Sequence, residues 1–592
     1  MGRMPYLAER FTTLPLQLRV KNWQSYVPIL GVIKRYRRDD FNHDLLAGGI
    51  QGVIAIPQAI AYAVLAGLPP EAGLYASLAP MGIYAILGSS KQLVVGPVAI
   101  TALMVAAAVG EYAPQYDQSY LALTTVLSLQ AGIVLWLLRL SQMGGLVNLL
   151  SHPVITGFVN AAALLIVVSQ LPALTGIGSG DATDPYHQLL NMATHLEELN
   201  PAVVLVGAAC LVGLLLVRDY AVPMLRLLVK DVSEEHPVSR TGPMVVTVAA
   251  AAAVVIWNLD TSYGVAVVGH LPPGLPDFTL PPFHWQMWLD VAPASAMIAL
   301  VSYVESYSIG TTLATRQRTR INGHQELIAL GAANVSAAFT GAYPVAGSFS
   351  RSSVNYEVGA RSQVSSLVCM VLIVLALLFF TPAFAHLPHA ALAAIVVVSV
   401  FGIVDVNSMR RHWRIHREDS ITELATLVTV LAFGVETGLL TGVALSIAFF
   451  VRTSSRPHIA IVGRIPHTEH FRSARRYDVE TFPHVAAIRV DENVYFGNAN
   501  QVENKLLKIV QRRPGTRHLL LVMSAVNMID VSGLEMLYRL NQNLETMGIK
   551  LHLSEVKGPV MEQLEVTDFI MRLSGSVFFT TDQAMRDLAE RT

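Results

Sequence analysis

Apolar runs long enough to cross a membrane, joined by loops of which only every second one carries Lys or Arg, leave a chain few ways to fold. From Asp44 onward, candidate spans run at roughly 46–66, 73–88, 97–110, 119–138, 153–172, 199–217, 243–257, 291–313, 325–341, 348–359, 364–381, 388–407, 420–434 and 437–452, about fourteen in all. A helix needs about 20 apolar residues to cross a bilayer, and shorter runs cross only when broken or sheltered by protein. Basic residues test the count independently, because they are retained on the cytoplasmic side. Lys91, Arg139, Arg218 to Arg240, Arg316 to Arg320, Arg361, Arg410 to Arg417 and Arg452 all follow an even-numbered span. Odd loops such as "GEYAPQYDQ" carry none. With Lys34, Arg35, Arg37 and Arg38 before the first span, both termini are expected in the cytoplasm.

That leaves Arg351, in "GAYPVAGSFSRSSVN", as the one basic residue away from the basic loops. The two halves of the chain resemble each other weakly around it. "IPQAIAYAVLAGLPP" precedes "KQLVVGPVAIT" as "SYVESYSIGTTLA" precedes "GAYPVAGSFSRSS", with 38 positions from Gln58 to Gly96 and 42 from Glu305 to Gly347. Each half thus places a short extended stretch, then Gly, then a helix start within the membrane. Such a start exposes free N–H groups and the positive end of a helix dipole, which suits an anion. If Gly96 to Thr101 and Gly347 to Ser352 open two half-helices of inverted topology, both N-termini point at one spot.

On this reading Ser348 or Ser350 caps the second half-helix or donates to a ligand, and Arg351 supplies a full positive charge. The alternative is a structural ion pair between Arg351 and Glu305. Glu305 in turn carries a coupling proton, coordinates a cation, or neutralises Arg351 in the empty site. Asp405, Glu436 and Glu357 lie near span ends, and His152, His324, His386 and His389 flank spans without metal-ligand spacing. Cys210 and Cys369 fall in apolar runs, where a disulfide or a cysteine metal site is not expected.

After Arg456 charge returns, and apolar runs such as "VAAIRV" and "HLLLVMSAV" alternate with amphipathic helical patterns, which predicts an α/β module. The expected organisation is a cytoplasmic segment over 1–40, a transmembrane domain over 41–455 and a soluble domain over 456–592. In "IDVSGLEML", Asp530 and Ser532 stand where a strand turns into a helix, as N-capping residues do.

The stretches "IPQAIAYAVLAGLPPEAGLYASL", "KQLVVGPVAI", "NGHQELIALGAANVSAAFTGAYPVAGSFSRSSVN" and "MIDVSGLEML" together resemble the sulfate permease (SulP) family of anion transporters. The resemblance implies about fourteen membrane segments in a 7+7 inverted repeat, arranged as core and gate domains, and a cytoplasmic STAS domain similar to anti-sigma-factor antagonists. It also implies an anion site between the third and tenth segments, with help from the first and eighth. Carried onto this chain, that selects Gln58, Tyr62, Gly96, Pro97, Val98, Ser348, Phe349, Ser350 and Arg351, with Glu305 beside them. In the resembled antagonists the serine corresponding to Ser532 is phosphorylated. Sodium-dependent bicarbonate members have Asp where Glu305 stands and a Thr-containing turn at Ser348 and Phe349, which weighs against sodium bicarbonate symport here.

The expected function is secondary active transport of an inorganic anion, sulfate foremost, with proton coupling and alternating access, in a bacterial inner membrane. Bicarbonate, chloride or dicarboxylate transport or exchange, an anion channel, and a membrane anion sensor that transports nothing are the alternatives. No Walker loop, nucleophile elbow or zinc-ligand cluster is present, so neither an enzyme nor a cofactor or metal is expected. A net charge of −1 gives no reason to expect nucleic acid. The expected partners are a small anion, a coupling proton and lipid, with a homodimer left open.

Overall fold

A computed structural model of the chain describes residues 26–112, 120–141, 151–178, 185–228, 242–401 and 404–590. Lys230, Arg240, most of "GEYAPQYDQ" and residues 1–25 of the N-terminal segment lie outside them. The chain divides into two compact units, ending and starting at Val443 and Ala444.

The first unit is mainly helical. Its principal helices are α1 (Arg38–Leu65), α2 (Ala79–Leu87), α3 (Ala99–Tyr112), α4 (Tyr120–Leu140), α5 (His152–Thr175), α6 (Pro201–Leu228), α7 (Gly242–Trp257), α8 (Ala292–Arg316), α9 (Gly323–Phe339), α10 (Phe349–Glu357), α11 (Val364–Phe379), α12 (His389–Phe401), α13 (Arg417–Phe433) and α14 (Val435–Ser454). Two short strands, β1 (Val95–Gly96) and β2 (Ala346–Gly347), precede α3 and α10. The division between units falls within α14. By length and composition α1, α4, α5, α6 and α14 suffice to cross a membrane alone. Many of the others are short, and a short helix crosses only where protein satisfies its ends.

The packing repeats with a shift of seven. α4 lies on α9 as α11 lies on α2, α8 lies on α4 as α1 lies on α11, and α5 lies on α13 as α12 lies on α6. These reciprocal pairings are the inverted repeat, written as contacts. With α3 and α10 packed on α1 and α8, α7 on α6 and α12, and α14 on α13, they gather α1 to α4 with α8 to α11 into one group, and α5 to α7 with α12 to α14 into another.

Among the boundaries that differ from the sequence expectation, the sixth helix runs on to Leu228, and three others have a visible cause. α1 begins at Arg38, eight residues early, because the acidic residues of its first turns are paired: Asp39 and Asp40 with Arg361 at the surface, and Asp44 in the interior. Asp44 is fully buried and accepts from the Tyr36 hydroxyl (2.8 Å), the Arg361 N–H (2.7 Å), the Ser362 N–H (3.1 Å) and the Ser362 hydroxyl (2.5 Å). The second span is broken into Pro70–Ala76 and α2, with Pro80 in the first turn of α2, where its missing N–H costs nothing. The twelfth ends at Phe401, and Val406–Ile415 forms a separate helix rich in basic residues. Replacing Asp44 with Ala would strand two backbone donors. A loss of about 3 kcal/mol is expected, read as a lowered thermal transition of the detergent-solubilised protein.

The strands of the second unit are β3 (Ile459–Arg464), β4 (Phe471–Ser473), β5 (Val485–Val490), β6 (His518–Val522), β7 (Lys550–Ser554) and β8 (Val577–Phe578). They form one six-stranded sheet in the order β4-β3-β5-β6-β7-β8. β5 to β8 run parallel, and their residues are largely apolar on both faces because helices cover both. α15 (Ala499–Gln511) and α16 (Val531–Thr546) close one apolar core with Leu506, Leu537 and Leu540. α17 (Gly558–Glu565) adds Val560 and Leu564 to that core, and α18 (Thr581–Glu590) closes the other with Met585 and Leu588. Asp530 caps α16, accepting from the Gly533 N–H at 2.8 Å and the Phe496 N–H at 2.8 Å. Ser532 lies half-buried in the first turn behind that cap.

Candidate anion site

The strands β1 and β2 pair antiparallel in the first unit, Val95 opposite Gly347 and Gly96 opposite Ala346. β1 leads into α3 and β2 into α10. Because the strands run in opposite directions, the N-termini of α3 and α10 face one another across the pair. The sequence expectation of two opposed helix starts concerns this place.

Side chains from three helices hold the strands. Ser306 on α8 accepts from the Gly347 N–H at 2.7 Å and donates to the Ser302 carbonyl at 2.5 Å. Asn334 on α9 holds both backbone groups of Val345, accepting its N–H at 2.9 Å and donating to its carbonyl at 3.1 Å. Ser352 on α10 accepts from the Val94 N–H at 2.9 Å. The Val94 carbonyl accepts from the Ser348 N–H at 2.9 Å, a bond that continues the strand ladder by one residue. Asn355, one turn further along α10, donates to the Gln92 carbonyl at 3.1 Å. None of these four polar side chains was singled out from the sequence. Their signal was there in principle, since a small polar side chain in an apolar helix needs a partner.

Arg351 is the third residue of α10 and is 1% exposed. One terminal nitrogen, Nη2, donates to the Pro97 carbonyl at 2.6 Å. Nε and Nη1 are buried and have no partner. Among the described residues no carboxylate lies within ion-pair distance of it, so any charge balance with Glu305 acts across the site and not through a contact. Glu305 is half-buried on α8, next to Ser306, and its Oε2 is buried without a partner. Gln58 (4% exposed, Oε1 unpartnered) and Tyr62 lie one turn apart on α1, both buried. Pro97 and Val98 form the buried turn between β1 and α3, with the Thr101 hydroxyl donating to the Val98 carbonyl at 2.9 Å. Ser348 occupies the N-cap position of α10 but makes no capping bond with its side chain. Phe349 and Ser350, which follow it, are exposed.

The arrangement brings one full positive charge, two free guanidinium nitrogens and two helix N-termini together in a buried place. Those are the elements that bind an oxyanion. An apolar crevice of about 750 Å³ between α1, α7 and α11, lined by residues such as Ile56, Met244 and Leu372, offers no fixed cation and is not the anion site. Gly96 is required for closeness: a Cβ there would stand 2.9 Å from Arg351 Nη1. Gly96→Ala is expected to displace the guanidinium and weaken anion binding about tenfold, measured by isothermal titration, with insertion unchanged.

Residues 41–426 match the model of the sulfate permease family, and residues 476–584 match that of the STAS domain. A probable sulfate transporter of Arabidopsis thaliana is 34% identical over 96% of this chain and 84% of its own length. A probable sulfate transporter of Mycobacterium tuberculosis is 31% identical over 94% of this chain and 97% of its own. Among solved structures, a murine Solute Carrier 26 family anion transporter in the inward-facing state superposes with a TM-score of 0.88 at 23% identity, covering 99% of this chain and 97% of that one. The transmembrane domain of a cyanobacterial bicarbonate transporter superposes with a TM-score of 0.58 at 19% identity, over 69% of this chain and 98% of that one. At such identities the two structures speak for the fold alone.

Proposed function

Because the chain belongs to the sulfate permease family, whose activity is anion transport, we propose that it is a secondary active transporter of sulfate, driven by protons and working by alternating access. The observation that carries this reading is the buried Arg351 with two unpartnered nitrogens between two opposed helix N-termini. A buried cation without a counter-ion is costly, and a dianion entering the site supplies one. The curated relatives named as sulfate transporters support sulfate over other anions.

In this reading residues 41–455 form the transport domain and residues 456–592 a cytoplasmic STAS domain, with a bacterial inner membrane around the former and both termini inside. The group α1 to α4 with α8 to α11 carries the site, and α5 to α7 with α12 to α14 form the gate against which it moves. Gln58, Tyr62, Gly96, Pro97, Val98, Ser348, Phe349, Ser350 and Arg351 surround the anion, and Glu305 carries the proton. Ser532 is the proposed phosphorylation position, since a phosphate there would stand at the N-terminus of α16.

The test is uptake of radiolabelled sulfate by proteoliposomes holding the purified chain, competed by bicarbonate, chloride and succinate. Saturable uptake, inhibited by unlabelled sulfate well below the concentrations at which the others compete, is expected. Flux linear in voltage without saturation would replace the transporter with a channel, and binding without flux would replace it with a sensor.

A further inference from the structure

A second polar cavity, of about 970 Å³, opens in the first unit on the side that carries the basic loops. It is formed by four separate stretches of chain: the segment before α1, the approach to β1, the end of α8 and the turn between α10 and α11. Lys34, Arg35, Lys91 and Arg361 line it together with Gln317 and Asp40. The Arg361 guanidinium is already matched by Asp39 at 2.6 Å and Asp40 at 3.0 Å. Lys34, Arg35 and Lys91 are exposed, and among the described residues they have no ion pair. Four cations thus stand at one concavity against the two carboxylates of Asp39 and Asp40, which leaves its wall with an excess of positive charge, and Gln317 adds a polar group.

We propose that this cavity binds a phosphate-bearing anion distinct from the transported one. Its size suits a phosphodiester headgroup or a soluble phosphorylated molecule better than a bare inorganic ion. Juxtamembrane Lys and Arg attract such groups at a membrane surface. The site is tied to the transport site by side-chain amides that bond to backbone carbonyls. Gln92, next to Lys91, donates to the Ala360 carbonyl at 3.3 Å and accepts at its own carbonyl from Asn355 of α10 at 3.1 Å. A ligand held by Lys91 thus touches the chain just before β1, one residue from the Gln92 that bonds to Asn355 of α10 and to Ala360 beyond it.

The experiment uses the full chain carrying Arg351→Gln, so that the transport site contributes no binding whatever its anion. In phosphatidylcholine nanodiscs, saturable binding of a spin-labelled phosphatidylglycerol and of radiolabelled pyrophosphate is measured separately. Either or both are expected to bind. Lipid alone identifies a headgroup, pyrophosphate alone a soluble ligand, and both a site open to each. Adding Lys34→Ala and Lys91→Ala is expected to lower affinity about tenfold or more. Arg414→Ala, at an exposed basic residue of the separate helix Val406–Ile415, is expected to change it less than about twofold. Failure of both probes to saturate, or an equal loss on Arg414→Ala, would overturn the proposal.

Discussion

Arg351→Gln is expected to abolish measurable sulfate binding while the protein still inserts and folds. The guanidinium is 1% exposed and spends only one of its nitrogens on the protein, at the Pro97 carbonyl. Nε and Nη1 are left for a ligand. Removing one partner of a buried, hydrogen-bonded charge pair costs roughly 2–5 kcal/mol, so affinity should fall on the order of 100-fold or more. Glutamine gives up one hydrogen bond to Pro97, worth about 1 kcal/mol, but relieves the buried charge, so the fold has no reason to fail. Arg351→Lys should recover part of the loss, because it restores charge but not the planar fork of donors. Titration calorimetry on the three proteins, each checked by gel filtration, decides the matter. Unchanged affinity in a monodisperse Arg351→Gln protein would remove Arg351 from the site.

How far this site could be read from the sequence depends on which residues are asked about. Arg351 stood out because basic residues elsewhere follow the even-numbered spans, and a charge within the membrane is expensive enough to be informative by its place alone. The spans were legible for the same reason, since burial in lipid imposes long apolar runs. The start of α1 was not. Asp44 reads as the solvated end of a loop until Ser362, far along the chain, arrives to pair with it. Ser306, Asn334 and Ser352 signal a need for a partner but not which one, because a hydroxyl or amide in an apolar helix is as readily satisfied by its own preceding turn as by a distant strand. Only the β1 and β2 pairing reveals which backbone groups needed partners. In the second unit β5 and β6 were plain as apolar runs, whereas the two residues of β8 carry too little pattern to be seen.

Glu305→Gln is expected to uncouple sulfate accumulation from the pH gradient without abolishing sulfate binding. The argument is a count of charge inside a site that has little water to screen it. Arg351 contributes one positive charge, and the two helix N-termini contribute about half a charge each. Sulfate brings two negative charges, which balance these only if Glu305 is neutral. With Glu305 ionised there is one negative charge too many, so a proton should enter with the dianion. A monovalent anion reverses the account: chloride balances the site with Glu305 ionised and needs no proton. Wild-type proteoliposomes should therefore accumulate sulfate more as the outside is made more acidic, by up to about tenfold per pH unit for one proton per sulfate at zero membrane potential. Glu305→Gln, neutral at every pH, should still bind sulfate and equilibrate it, but show no accumulation that follows the gradient. Chloride movement in the wild type should respond to pH far less than sulfate movement does. The same pH dependence of sulfate accumulation in wild type and Glu305→Gln would eliminate Glu305 as the proton carrier. It would leave the carboxylate the lesser task of balancing Arg351 across the empty site.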